Sequence, residues 1–183
     1  MDIIIDNEYR VTDTHVFFWK GFMSNFTQTR FSWAYGSPEP HEFLCTEQAF
    51  MWAKARFFKD EETANEILKV GDDPLSCKNW GRAVKNYDDK QWEMVRYDIM
   101  KIVNIQKYNC DKEMREKLLD PIFENKLFVE ASPFDAIWGI KMGMNDPGVE
   151  NSLNWKGRNL LGQIITEVRQ IMKELYTPIP DVV

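Results

Sequence analysis

The segment Cys45-Thr46-Glu47-Gln48-Ala49-Phe50-Met51-Trp52-Ala53-Lys54-Ala55 decides how this chain is read. Thr46 is a fair N-cap, and the run predicts a helix from there to about Phe58. At about 100° per residue, Phe50, Met51 and Phe58 share one stripe. Glu47 and Lys54 lie on that same stripe, whereas Gln48, Arg56 and Lys59 gather on the other side, where a solvated face belongs. An acid and an amine therefore point toward the interior. Buried charge is expensive, so such groups need partners or a purpose. Either the two pair with buried backbone groups or lie at a rim, or they belong to a reacting centre.

Outward from this helix the chain reads as mostly helical. Glu61 to Val70 is a short helix ended by Gly71, and Asp73-Pro74 is a cap with proline at the first helical position of the next. Asp88 caps a long helix through about Tyr108, with Trp92, Val95, Ile99 and Ile102 recurring at helical spacing. Asp111 opens one more helix, stopped near Asp120-Pro121. Leu160 to Leu175 is a final amphipathic helix, followed by a proline-containing tail, Thr177 to Val183. Short strands are predicted at Ile3 to Ile5, Val16 to Trp19 and Lys126 to Glu130. Gly21 to Arg30, which holds Ser24-Asn25-Phe26, and Tyr35 to Pro40 read as loops. Gly139 to Asn159 is rich in Gly, Asn and Pro and has no clear period, and a loop of that length is often functional. No repeat or linker interrupts the chain. These readings give one α+β domain over residues 1–183, mainly helical with a few short strands.

At 183 residues the chain is long enough to bury a proper core, and 44% hydrophobic with 28% charged residues is a globular composition. Its 7 Trp supply apolar area and can wall a flat ligand. A net charge of -6 argues against sequence-blind attraction to nucleic acid. Cys45, Cys77 and Cys110 are odd in number and far apart, which fits a reducing compartment rather than a disulfide framework. With His15 and His41 alone, a histidine metal site or triad has little material. The acidic start resembles no secretory signal, and no apolar run approaches bilayer length. The expectation is a cytoplasmic protein.

A carboxylate in an apolar pocket can donate or accept the proton that cleavage of a ribosyl C–N bond requires. A buried lysine with a depressed pKa offers another route, attacking the C1′ aldehyde form of the sugar to give a Schiff base. Lys156-Gly157-Arg158-Asn159 stands before the last helix, whose N–H groups and dipole favour an anion. Gly81-Arg82, with Lys85 nearby, is a second basic feature.

At these residues the chain resembles the YbiA-like, or NADAR, superfamily, from about Phe17 to Leu175. The similarity runs through Phe18-Trp19, Met23-Ser24-Asn25-Phe26, the Cys45 to Ala55 helix and Trp80-Gly81-Arg82-Ala83-Val84. It continues through Trp92 and Val95, Glu130 to Asp135, Ile137-Trp138-Gly139-Ile140 and Trp155-Lys156-Gly157-Arg158-Asn159-Leu160-Leu161-Gly162. Lys141 departs from it, standing where many relatives carry glycine. The resemblance implies an N-glycosidase with neither metal nor organic cofactor. Its substrate would be a phosphoribosylamino-pyrimidine intermediate of riboflavin biosynthesis, or an ADP-ribosylated guanine, including in nucleic acid. A module that binds ADP-ribose or a related nucleotide without turnover is the alternative from another class. Carried across, Glu47 becomes the general acid/base, with Lys54, Asp135 and Trp138 completing the reacting centre. Asn25, Arg82 and Asn159 would position sugar and phosphate, with Phe26, Phe50, Gly139 and Arg158 as further substrate contacts.

Overall fold

The computed structural model describes residues 3–5 and 8–176. In chain order its strands are β1 (Ile3–Ile5), β2 (Tyr9–Val11), β3 (His15–Phe18), β4 (Phe31–Trp33), β5 (His41–Phe43) and β6 (Leu127–Glu130). Its helices are α1 (Thr46–Phe57), α2 (Glu61–Lys69), α3 (Pro74–Arg82), α4 (Asp89–Cys110), α5 (Lys112–Leu118) and α6 (Leu160–Tyr176). The class is α+β and mainly helical, and every predicted helix is present. The tail from Thr177 lies outside the described residues. Strands β2, β4 and β5 were not anticipated. Each has only three residues, too few for a period-2 pattern to register. The long aperiodic stretch holds a single 3₁₀ turn, Ser152–Asn154.

The chain divides into two compact units, Trp19–Asp111 and a second formed by the residues before and after it. In the Trp19–Asp111 unit, α1 packs on α2, α3, α4 and β5. Its start is not capped by Thr46, which is the first helical residue. Cys45 is the N-cap, its Sγ accepting the N–H of Gln48 at 3.4 Å. Gln48 Oε1 reaches back to the N–H of Leu44 at 2.9 Å, a thiol counterpart of the capping box. Gln48, expected in solvent, is therefore 2% exposed, with its Nε2 on the carbonyl of Ile67. Helix α1 is buried on almost every side, and Gly81 of α3 makes room for Met51, whose sulfur a Cβ there would strike.

Helix α4 differs from its predicted stripe. Trp92 and Ile99 are buried as expected, but Ile102 is 40% exposed. The buried row is Trp92, Arg96, Ile99, Met100, Val103, Asn104, Lys107 and Tyr108. Polar residues inside that row disguise its phase, so the outward-facing Ile102 falls in step with the apolar pattern.

In the other unit the sheet order is β1-β2-β3-β6, antiparallel except for the parallel β3–β6 pair. Phe17, Val129, Ala131, Ile140, Met142 and Val149 form its core cluster, with Met144 and Trp155 packed against it. Helix α6 lies on β6 through a face that buries Leu161, Ile164, Ile165, Val168 and Met172. The outward backbone of β6 is met side chain by side chain. Thr166 Oγ1 accepts the N–H of Phe128 at 3.0 Å, and Asn159 Oδ1 accepts that of Glu130 at 2.9 Å. Asn159 Nδ2 donates to the carbonyl of Phe128 at 3.1 Å, and the N–H of Ile140 to that of Glu130 at 2.9 Å.

Candidate active site

Glu47 sits in the first turn of α1, 5% exposed, and its N–H donates to the carbonyl of Asn25 at 2.9 Å. The loop before β4 thus meets the helix at the glutamate itself. Asn25 is buried too, its amide lying between Met100 Sδ and Asn104 Nδ2 of α4, each at 3.4 Å. The carboxylate raises the neighbouring thiols, although burial is the larger cause. Cys45 is pushed up to about 11 and Cys77 to about 12, so neither is a thiolate at neutral pH.

Two helical turns beyond Glu47, on the order of 10 Å along the axis, stands Lys54. It is half-buried, and its Nζ donates to the carbonyl of Gly81 at 2.8 Å. The amine lies 4.1 Å from the centroid of the Tyr87 ring and 6.0 Å from that of Trp92. Burial lowers its pKa, opposed by the charge of Asp89, which also accepts the Tyr87 hydroxyl at 2.7 Å. Helices α1 and α3 thereby bring Lys54 next to Gly81-Arg82. Arg82 itself is exposed, with Nη1 3.4 Å from Asn79 Oδ1. Phe50 is fully buried against Trp92, their centroids 5.2 Å apart. Phe26 is 39% exposed, with Lys78 Nζ 5.6 Å from its ring.

In the second unit the site residues named from the sequence hold a loop together. Asp135 Oδ1 accepts the N–H groups of Ile137 and Trp138, both at 2.8 Å. Asn159, at φ 54°, spends its amide on β6 as described above, and its N–H donates to the carbonyl of Gly139 at 3.2 Å. Cβ atoms at Gly139, Gly157 and Gly162 would each collide with backbone. The expected anion site before α6 is corrected here. The N–H groups of Arg158, Asn159, Leu160 and Leu161 donate to the carbonyls of Ala136, Gly139, Ile137 and Trp138. Those amides are committed to carbonyl oxygens, so this helix start does not present them to a phosphate. Arg158 is exposed beside it.

Sequence reasoning missed Tyr87 and Lys107. Tyr87 had a signal, since it lies just before the Asp88 cap and two residues from Asp89. Lys107 had little, being a lysine inside an otherwise polar stretch of α4. It is 0% exposed, and burial lowers its pKa to about 7, against the pull of Cys45 and Asp111. A lysine in the unfolded chain titrates near about 10.4. Between those values the unfolded chain binds more protons than the native one, so this group's contribution to stability rises with pH. Below about 7 its penalty is fully present. On raising the pH from about 6.5 to 8, the urea midpoint of the wild type should gain on that of Lys107→Met, with thiol titration common to both. A difference constant with pH would exclude the depressed amine.

A surface depression of 480 Å³, lined by Gln28, Thr29, Arg30, Leu44, Gly71 and Asp72, contains none of these candidates. Among the described residues, no group of three or more His, Cys, Asp or Glu is placed to hold a metal ion. Among them too, no helix is long and apolar enough to cross a membrane.

Residues 17–173 match the NADAR domain. Protein irg-1 of Caenorhabditis elegans is 34% identical over 138 residues, which are 74% of this chain and 62% of that protein. N-glycosidase R617 of Acanthamoeba polyphaga mimivirus is 33% identical over 133 residues, 70% of this chain and 74% of the relative. The chain thus spans less than two thirds of the first of these relatives. The NMR structure of the E. coli protein YbiA shares the fold, with a TM-score of 0.67 at 24% identity over 96% of each chain. Since the match begins inside β3 and ends in the last turn of α6, this chain belongs to the NADAR domain family.

Proposed function

We propose that the chain is an N-glycosidase that hydrolyses the ribose C1′–N bond of a phosphorylated N-riboside. The observation that carries this reading is a nearly buried Glu47 whose backbone is tied to Asn25, with Lys54 two turns along the same helix. Membership of the NADAR family and the name of the mimivirus relative support it. As the C1′–N bond breaks, its electron pair leaves on the base nitrogen and Glu47 supplies the proton there. Water then adds to C1′ and returns a proton to the carboxylate. Asn25 orients the sugar, and Lys54 and Arg82 face its phosphate. The substrate proposed first is a phosphoribosylamino-pyrimidine of riboflavin biosynthesis.

A second reading, removal of ADP-ribose from guanine, is favoured by the surface of α3. Lys78 and Arg82 are one turn apart, and Phe26 lies under Lys78, an arrangement suited to a diphosphate beside a flat base. Mass spectrometry after mixing the protein with each substrate in parallel tests both. Free base from one of them selects between the readings. Intact substrates with a folded protein point to a nucleotide-binding module instead.

Lys54→Arg keeps the charge but cannot deprotonate or form an imine. A Schiff-base route would lower base release by roughly 10–100-fold in this variant, whereas the direct route, which asks only a positive charge of Lys54, keeps it within about threefold, measured with the same assay. Unchanged turnover would exclude the Schiff-base route and leave direct hydrolysis.

A further inference from the structure

The loop that carries Asn25 is held by one helix. Lys107 Nζ donates to the carbonyls of Phe22 at 2.6 Å and Ser24 at 3.0 Å. One turn earlier, Asn104 Nδ2 donates to Asn25 Oδ1 at 3.4 Å and to the carbonyl of Met100 at 3.1 Å. Tyr108 Oη adds a contact to the carbonyl of Phe22 at 3.3 Å. Lys107 and Asn104 are both 0% exposed. Apart from the 3₁₀ turn Gly21–Met23, this loop has no regular structure, and buried carbonyls in it must find donors elsewhere. The last contact in the series is the carbonyl of Asn25 on the N–H of Glu47.

We propose that Lys107, seconded by Asn104, is a positioning residue that sets Glu47 through the Phe22–Asn25 loop. The proposal rests on the reading of Glu47 as the general acid/base. An apolar side chain would fill the same space without burying an amine, so packing alone does not account for a lysine there. A neutral amine has two N–H donors, which matches the two loop carbonyls it meets. Removing it takes away the shorter bond at each carbonyl, leaving Phe22 the 3.3 Å contact from Tyr108 Oη and Ser24 the 3.4 Å contact from the Thr27 N–H. The loop shifts to shorten these long contacts or to reach water, and Asn25 moves with it. The first turn of α1 then loses the acceptor of its Glu47 N–H, and the carboxylate leaves its place.

The test uses the full chain carrying Lys107→Met, with Asn104→Ala as the milder variant should the first fail to fold. Amide hydrogen exchange followed by NMR reads the clamp without any substrate. Exchange at the Glu47 amide should quicken by about tenfold or more, while the amide of Ala53 in the same helix stays protected. In turnover, kcat per folded molecule, with the folded fraction fixed by circular dichroism, should fall by about 100-fold with KM within about threefold. In a Glu47→Gln background the same substitution should cost clearly less than in the wild type, the remainder being what the displaced Asn25 contributes. Unchanged exchange at Glu47 in a folded variant overturns the proposal, as does a full additional loss on top of Glu47→Gln. If the wild type cleaves no N-riboside, the glycosidase reading falls, and the exchange data still decide whether Lys107 positions Glu47.

Discussion

Glu47→Gln should lower kcat for base release by about 10²–10⁴-fold while leaving the fold in place and much of the binding intact. The substitution is isosteric and removes only the ability to carry a proton. The backbone bond to Asn25 does not involve the side chain, and the thiol cap at Cys45 is equally untouched. KM should therefore move far less than kcat, the pattern of an interaction used in the transition state. Steady-state assays by chromatography of the released base check this, with circular dichroism confirming the helix content. Near-normal turnover would remove Glu47 from the mechanism and leave Lys54 as the reacting group.

Gly162→Ala should have the largest effect on stability. A Cβ at this position would fall far inside van der Waals contact with the carbonyl of Phe128 and with Asn159 Oδ1. Neither can yield easily, because Phe128 is strand backbone and Asn159 is bonded to β6 at both ends of its amide. Helix α6 must move away from β6, or Asn159 must release the strand. Overpacking of this kind costs about 1–3 kcal/mol. For a chain of this size that corresponds to a Tm lower by roughly 2–10 °C, readable by calorimetry. A Tm within about 1 °C of the wild type would mean that α6 and β6 slide without resistance.

The helices were legible because their signals are local. Asp73-Pro74 and Asp88 cap where the sequence places them, with side chains on the N–H groups of Leu75, Ser76 and Gln91. Glu47 was legible as an acid on an inward stripe. The cap of α1 lies one residue before Thr46, on a thiol that is a weaker acceptor than the hydroxyl beside it and so a fainter signal in the sequence. What stayed hidden depends on partners distant in sequence. Lys107 and Asn104 acquire meaning only when α4 lies along the loop about eighty residues earlier. The start of α6 looked like an anion site because its amides count as free until the carbonyls of residues 136–139 are known to accept them. The Trp155 to Gly162 block, recognisable as a motif, is in geometry a seam between a strand and a helix.

That seam also bears on how the molecule behaves in crowded solution. β6 stands at the margin of its sheet, and a bare margin invites a second chain to pair with it. Here the outward N–H and carbonyl groups of Phe128 and Glu130 are engaged by Thr166, Asn159 and Ile140. This rim therefore offers no template for cross-β growth, and Asn159→Ala would expose one by releasing two of its four contacts. A single asparagine thus acts as a guard against self-association as well as a strut of the fold.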